Sequence, residues 1–229
     1  MKIFVAGASS GIGRATAVEA SRRGVACVLA ARREDELERT RAMMDNPSAH
    51  SIMPVDFSET DERDIALVRF FAAEGPFDGV VYAAGTCPVT PLARLDSASF
   101  DEIFRVNCGG FIALMRAFAA RGAHAADGAA AIAVSSVSAR EGWAGGTAYC
   151  ASKGALSAAV RALAAELAVK RIGVEAIEPS HVLTPMFLNG AARMGTPLSA
   201  AIPPETVAKD IVDGLERICR IMRERTAGS

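Results

Sequence analysis

Tyr149 and Lys153, in the segment Tyr149-Cys-Ala-Ser-Lys153, and Ser136, thirteen positions before the tyrosine, combine a proton donor, a cation and a second hydroxyl. These groups suit hydride chemistry at a carbonyl or alcohol, where the oxygen must gain or lose a proton. The Ala- and Leu-rich pattern of Ala148 to Lys170 predicts a helix, and a spacing of four then places Tyr149 and Lys153 one turn apart on one face. A tyrosine of ordinary pKa near 10 is a poor base at neutral pH, and an adjacent cation favours its phenolate. One unit charge about 4 Å away, at an effective dielectric of about 20, contributes up to roughly 4 kcal/mol, enough to move a phenol toward its working range. Taken alone, Tyr-x-x-x-Lys is also an ordinary helix-surface pair, so its place in the fold decides.

Six short apolar runs read as strands: Ile3 to Ala6, Ala26 to Ala30, His50 to Val55, Gly79 to Ala83, Ala130 to Ser135 and Gly173 to Ile177. Between them Ile12 to Arg23, Glu34 to Met44, Glu59 to Glu74, Phe100 to Arg121 and Ala148 to Arg171 read as helices. Alternation of this kind predicts a doubly wound parallel α/β sheet, in one domain spanning residues 1–229. Pro204 to Arg225 reads as a last helix with no apolar strand after it, so a seventh strand is not expected. Ser99-x-x-Glu102 predicts a capping box, Gly24 and Gly173 suit helix ends, and the turn-rich Asn189 to Pro204 segment, with Gly190, Gly195 and Pro197, predicts a mobile loop.

The loop Gly7-Ala-Ser-Ser-Gly11-Ile-Gly13 follows the first strand and opens the first helix. Glycines allow close backbone approach, and a helix amino terminus offers unpaired N–H groups and partial positive charge to a pyrophosphate. A Gly-rich turn can also simply join strand to helix; the strand before it and the helix after it favour nucleotide binding.

Composition excludes other classes. The chain has 229 residues, 51% hydrophobic and 22% charged, with a net charge of −1, which gives no footprint for nucleic acid or for an anionic membrane. The apolar start at Met1 breaks at Gly7, too early for a signal peptide, and Arg116 and Arg121 interrupt the most apolar helical segment; a cytoplasmic location is expected. Five cysteines without CxxC spacing read as reduced thiols, Cys150 among them as a small core residue, and three histidines without ligand spacing predict no metal.

Together these residues resemble the short-chain dehydrogenase/reductase family, in its single-domain branch with a Gly-x-x-x-Gly-x-Gly loop, over roughly residues 1 to 188. The resemblance implies that Tyr149 is the acid/base, that Lys153 lowers its pKa and holds the nicotinamide ribose, that Ser136 orients the substrate oxygen and that Asn107 supports a proton relay. The residues alone leave Asn107 open, since an asparagine in a helical pattern can bond locally or kink the helix. Implied cofactor contacts are the loop residues Gly7, Ser9, Ser10, Gly11, Ile12 and Gly13, then Asp56 and Phe57, Ala84 and Gly85, and Pro179, Val182 and Thr184 in the stretch that meets the nicotinamide carboxamide. Against the family pattern, Ala6 replaces a threonine, Tyr82-Ala83 replaces an asparagine pair and Ser180 replaces a glycine. His181 reads as a solvent-facing loop residue.

After the second strand, Ala31 stands where a carboxylate would bond the ribose 2′-hydroxyl of NAD, and Arg32 and Arg33 follow. A planar, permanent guanidinium suits a 2′-phosphate, so NADP(H) is expected over NAD(H), the alternative being that both arginines are solvated charges paired with Glu34 or Glu36. Substrate contacts are expected from Thr86 to Leu92, Ser138 to Trp143 and Met186 to Ala201, with Ser138, Trp143 and Met186 foremost. Met186, Phe187, Leu188, Met194 and Leu198 either close over a nonpolar substrate or make core or dimer contacts, and Arg140 either binds an anion or pairs with a surface carboxylate. Without a seventh strand, a homodimer, or a tetramer built on it, is expected to use the helices around residues 100 to 121 and 148 to 170. A nucleotide-sugar epimerase would need a longer carboxyl-terminal domain, and a cofactor sensor signalling through a partner would have no evident need for an activated phenol.

Overall fold

The computed structural model describes residues 1–194 and 197–227. Six strands, Lys2–Ala6 (β1), Ala26–Ala31 (β2), Ser51–Pro54 (β3), Gly79–Tyr82 (β4), Ala129–Val134 (β5) and Ile172–Ile177 (β6), form one sheet in the order β3-β2-β1-β4-β5-β6. Every neighbouring pair is parallel. The order in which strands are added reverses between β1 and β4, which opens a crevice at their carboxyl ends.

Alternation along each strand divides the core in two. Phe4 and Ala6 of β1 face one layer with Phe71, Phe111 and Phe118, whereas Ile3 and Val5 face the other with Ala17, Leu29, Ile211 and Leu215. All six residues of β5 are buried, consistent with a strand covered on both faces. The helices are Gly11–Arg22 (α1), Glu34–Ala42 (α2), Asp61–Glu74 (α3), Ser97–Phe104 (α4), Gly110–Phe118 (α5), Thr147–Leu167 (α6), Pro185–Met194 (α7) and Pro204–Ala227 (α8). Helix α1 packs on α8 on one face of the sheet, and α3 packs on α5 on the other.

Four local expectations are corrected. The single helix read over 100 to 121 is two, α4 and α5, joined by a wide π turn at Arg105–Gly109. Its cap is Asp96, which accepts the Ser99 N–H at 2.7 Å, so Ser99 lies inside the helix and forms no capping box. Gly24 does end α1, at φ +72°, but Gly173 belongs to β6, where a Cβ would lie 2.3 Å from Ile218 Cγ2; the left-handed residue before that strand is Arg171 at φ 58°. The segment expected to be a mobile loop is helical through Met194, and a short turn at Leu198–Ala200 leads on to α8, while Gly195 lies outside the described residues. Among the described residues no strand follows β6; α8 packs across β4, β5 and β6, and its Arg217 makes two bonds, of 3.1 and 2.6 Å, with Glu175 of β6. No described helix is long and apolar enough to cross a membrane.

Candidate active site

The phosphate loop takes its shape from three glycines. Gly7 and Gly11 have φ of +83° and +54°, and a Cβ on Gly7 would sit 2.5 Å from the Ala84 N–H nitrogen, while one on Gly13 would sit 2.3 Å from the Gly7 carbonyl. No side chain caps the amino end of α1, and no acid lies in its first turn, so its N–H groups and dipole remain open to an anion. Beneath the loop Arg14 donates to the Ser9 carbonyl and to Glu36 and Thr40, and Thr40 in turn donates to the Ala8 carbonyl at 2.9 Å. These props link the loop to α2 and escaped the sequence reading, because Arg14 and Thr40 are 26 residues apart.

A cleft of about 830 Å³ runs from this loop over the carboxyl ends of the strands. It brings together Gly7, Ser9, Ser10, Gly11 and Ile12, Arg32 and Arg33, Asp56 and Phe57, Ala84 and Gly85, and Pro179, Val182 and Thr184. Ser136, Ser138, Trp143, Tyr149, Lys153 and Met186 line the same cleft. Gly13 and Asn107 do not; both are buried behind it.

Arg32 stands at the cleft edge with 72% of its side chain exposed, 3.5 Å from Asp56, and Arg33 lies 3.4 Å from the Ser9 hydroxyl. Glu36 is occupied by Arg14 and Arg39, and not by an ion pair with either cleft arginine. Burial alone would raise the Asp56 pKa, but two Ser58 hydrogen bonds and the Arg32 charge outweigh it and hold the carboxyl below its ordinary range.

At the other end Tyr149 is half-buried, and the Lys153 ammonium lies 5.8 Å from its ring centre while donating to the Val134 carbonyl at 2.8 Å. The lysine is 5% exposed, and burial brings its pKa down to about 8. Burial also pushes the Tyr149 phenol well up, with the neighbouring Cys87 adding to it, against the pull of the Ser136 hydroxyl. Desolvation of the phenolate is thus the largest influence on this phenol, and it runs opposite to the lowering expected from Lys153.

Ser136 lies two residues past the end of β5, where its hydroxyl accepts the Ser138 N–H at 3.1 Å. Behind it Ser135 shares a 2.8 Å bond with Ser157, which donates to Glu178 at 2.7 Å, and Glu178 pairs with Arg140 at 2.8 Å. Arg140 is thus the partner of a carboxylate, one of the two roles left open for it. Asn107 sits in the π turn and is fully satisfied: its Oδ1 accepts the Thr86 N–H at 2.8 Å, and its Nδ2 donates to the Thr86 carbonyl and the Ser152 hydroxyl, both at 2.9 Å.

Of the apolar substrate candidates, Met186 and Phe187 line the cleft, Leu188 and Leu198 are exposed and do not, and the Met194 side chain lies outside the described residues. From the Thr86 to Leu92 stretch only Thr86 and Cys87 line it, and Leu92 is exposed in a short turn. Trp143 donates to the Ser138 hydroxyl at 3.2 Å, and its ring lies 6.3 Å from that of Tyr149. His181, expected to face solvent, is half-buried, lines the cleft and packs 5.4 Å from Phe187.

A phenol, a serine hydroxyl and a lysine at one end of a glycine-cradled groove can exchange a proton with an oxygen atom held there. Residues 1–194 match the family model described as short chain dehydrogenase. The chain belongs to the short-chain dehydrogenase/reductase family. One family relative, a cis-4-hydroxycyclohexanecarboxylate dehydrogenase of Sinomonas cyclohexanicum, is 32% identical over 216 residues, which is 90% of this chain and 86% of that protein. Among solved structures the fold matches an actinorhodin polyketide ketoreductase with NADPH (TM-score 0.81, 20% identity, 93% of this chain and 89% of that one). It also matches a protein of Beutenbergia cavernae described as an NAD(P)-dependent gluconate 5-dehydrogenase with NADP (TM-score 0.82, 24% identity, 93% and 88%). As a member of this family the chain is an oxidoreductase of alcohol and carbonyl small molecules, on a fold that binds a nicotinamide cofactor.

Proposed function

We propose that this chain, as one domain over residues 1–229, transfers hydride between NADP(H) and a small carbonyl or alcohol, with Tyr149 as the general acid/base. The observation that carries this reading is the meeting, in one cleft, of the Tyr149 phenol, Ser136 and the buried Lys153 with an uncapped, glycine-lined helix amino terminus.

Bound nicotinamide supplies the hydride for reduction and accepts it in oxidation. Ser136 and Tyr149 hold the substrate oxygen; in reduction the phenol gives its proton to that oxygen as the carbon gains hydride. A phenol pushed upward by burial is protonated at neutral pH, the form reduction requires. Lys153 would hold the nicotinamide ribose, and its charge, strengthened in effect by the low dielectric of the site, would favour return of the phenolate. Asn107 fixes the Thr86 backbone that borders the substrate end. Ser138, Trp143 and Met186 form the walls of that end, which suits a substrate with an apolar body.

Cofactor preference rests on Ala31, which offers no carboxylate to a ribose 2′-hydroxyl, and on the exposed Arg32 guanidinium beside it. Two solved structures that share this fold are described with NADPH and with NADP, which is compatible with the choice. Arg32→Ala is expected to weaken NADPH binding by roughly ten- to a hundredfold, the worth of a charge-assisted contact, and to leave NADH binding within about twofold. Fluorescence titration of both cofactors checks it; equal losses for the two contradict the assignment. The same proposal has the protein working in the cytoplasm as a homodimer, or a tetramer built on it, with neither nucleic acid nor membrane as a partner.

A further inference from the structure

Tyr82 ends β4, is fully buried, and plays no part in the cleft chemistry. Its ring packs edge-on against Phe57 and tilts against Phe111, and its hydroxyl donates to the Val106 carbonyl inside the π turn between α4 and α5. In an α-helix that carbonyl would accept the Gly110 N–H, four residues on. Here the Gly110 N–H goes to Arg105 instead, one residue further back, and the phenol of Tyr82 serves Val106. Gly110 is matched to this arrangement, because a Cβ there would lie 2.1 Å from the Tyr82 hydroxyl oxygen.

The turn so held carries Asn107. From Asn107 one arm clamps both backbone groups of Thr86, and the other reaches the Ser152 hydroxyl, which donates to the Tyr149 carbonyl at 2.7 Å. A buried carbonyl deprived of its partner has a strong tendency to recover one, and the regular α-helical partner of Val106 is the Gly110 N–H. Recovering it would close the wide turn and, at 100° per residue of α-helix, rotate Asn107 away from Thr86 and Ser152.

We propose that Tyr82 is a positioning residue for the reaction: its hydroxyl holds the π turn open at Val106 and thereby aims Asn107, through Ser152 and Thr86, at the walls of the site around Tyr149. The proposal rests on the oxidoreductase reading for its kinetic consequence and on geometry alone for its structural one. Tyr82→Phe keeps the ring and removes the hydroxyl. With a ketone that the wild-type protein reduces, kcat is expected to fall about ten- to a hundredfold, the usual cost of small misplacement, while KM and NADPH affinity stay within about twofold. In the same variant the Thr86 amide, held by Asn107 in the wild type, is expected to lose protection from hydrogen exchange, a readout that stands even if no ketone is turned over.

Gly110→Ala provides a second route, since its methyl group would lie 2.1 Å from the Tyr82 hydroxyl oxygen and 3.1 Å from the ring carbon that bears it, and so drives the phenol off Val106 without removing the hydroxyl. Combining the two changes is expected to cost no more kcat than the larger single change, because both remove one interaction. Unchanged kcat and Thr86 protection in Tyr82→Phe, a parallel loss of kcat, KM and cofactor binding, or additive losses in the double variant would each overturn the proposal. A wild-type protein inert toward every ketone, with Thr86 protection still lost in Tyr82→Phe, would instead overturn the oxidoreductase reading and leave the structural link standing.

Discussion

At the scale of single residues the site is a contest between burial and charge, and burial prevails both at the half-buried Tyr149 and at the enclosed Lys153. The two effects oppose each other: desolvation makes the phenol harder to ionise and the ammonium easier to discharge. For Lys153 the folded value is about 8 against an ordinary 10.5. Below about pH 8 both folded and unfolded chains hold the proton; between about 8 and 10.5 the unfolded chain binds more of it, so stability attributable to this residue rises with pH across that window. Relative to Lys153→Met, the cofactor-free wild type is therefore expected to gain stability from pH 8 to 10.5 and to hold a constant difference below 8. Urea melts of both proteins across that range measure it, and a flat difference throughout would contradict the burial described. Tyr149, Lys153 and Ser136 were legible because their spacing on a helix and after a strand is local. The Ser135–Ser157–Glu178 chain was not, since its bonds join residues 21 and 22 positions apart and leave no periodic trace.

Elements position these residues with little slack. The phosphate loop depends on absent side chains: Gly13→Ala would place a methyl carbon 2.3 Å from the Gly7 carbonyl, and the loop must move off α1 to admit it. Overpacking of that kind costs about 1–3 kcal/mol, and Gly13→Ala is expected to lower stability by that much and to weaken NADPH binding by more than about tenfold. Thermal melts and cofactor titration check this; wild-type affinity would show that the loop does not cradle the cofactor. Strands and most helices were readable from apolar periodicity, whereas the π turn was hidden, because one extra residue in a helix leaves the apolar spacing intact on either side of it. Asp96 was passed over as a cap for a related reason: Ser99 and Glu102 fit the capping pattern in letters, but the bond that forms is Asp96 to the Ser99 N–H. Helix α7 was obscured by the glycines and prolines around it.

At the scale of the molecule, six parallel strands are covered by helices on both faces, and the sheet ends at β6 with no described strand beyond it. That architecture followed from the alternation of strands and helices. Assembly is a separate matter. Ile65, Val68 and Ile112 are about half exposed on α3 and α5, and the outer face of α6 carries the exposed small residues Ala151, Ala158, Ala162 and Ala165. A helical face of this character suits a second copy, and a stable dimer would bury about 1,200–2,000 Å² in total. Light scattering at micromolar concentration is expected to give a dimer for the wild type and a monomer for Ile112→Glu, with the melting temperature of that variant independent of protein concentration. A wild-type monomer would remove the interface.

In the proposed reaction it is the Tyr149 phenol that moves the proton. The direct test mixes the pure protein with NADPH and a panel of ketones, aldehydes and 3-oxoacyl thioesters, follows cofactor absorbance, and repeats the best case with Tyr149→Phe. Removing a general acid costs about 10²–10⁴-fold in rate, so turnover is expected to fall at least a hundredfold while NADPH binding stays within about twofold of the wild type. Full activity in Tyr149→Phe would contradict the account.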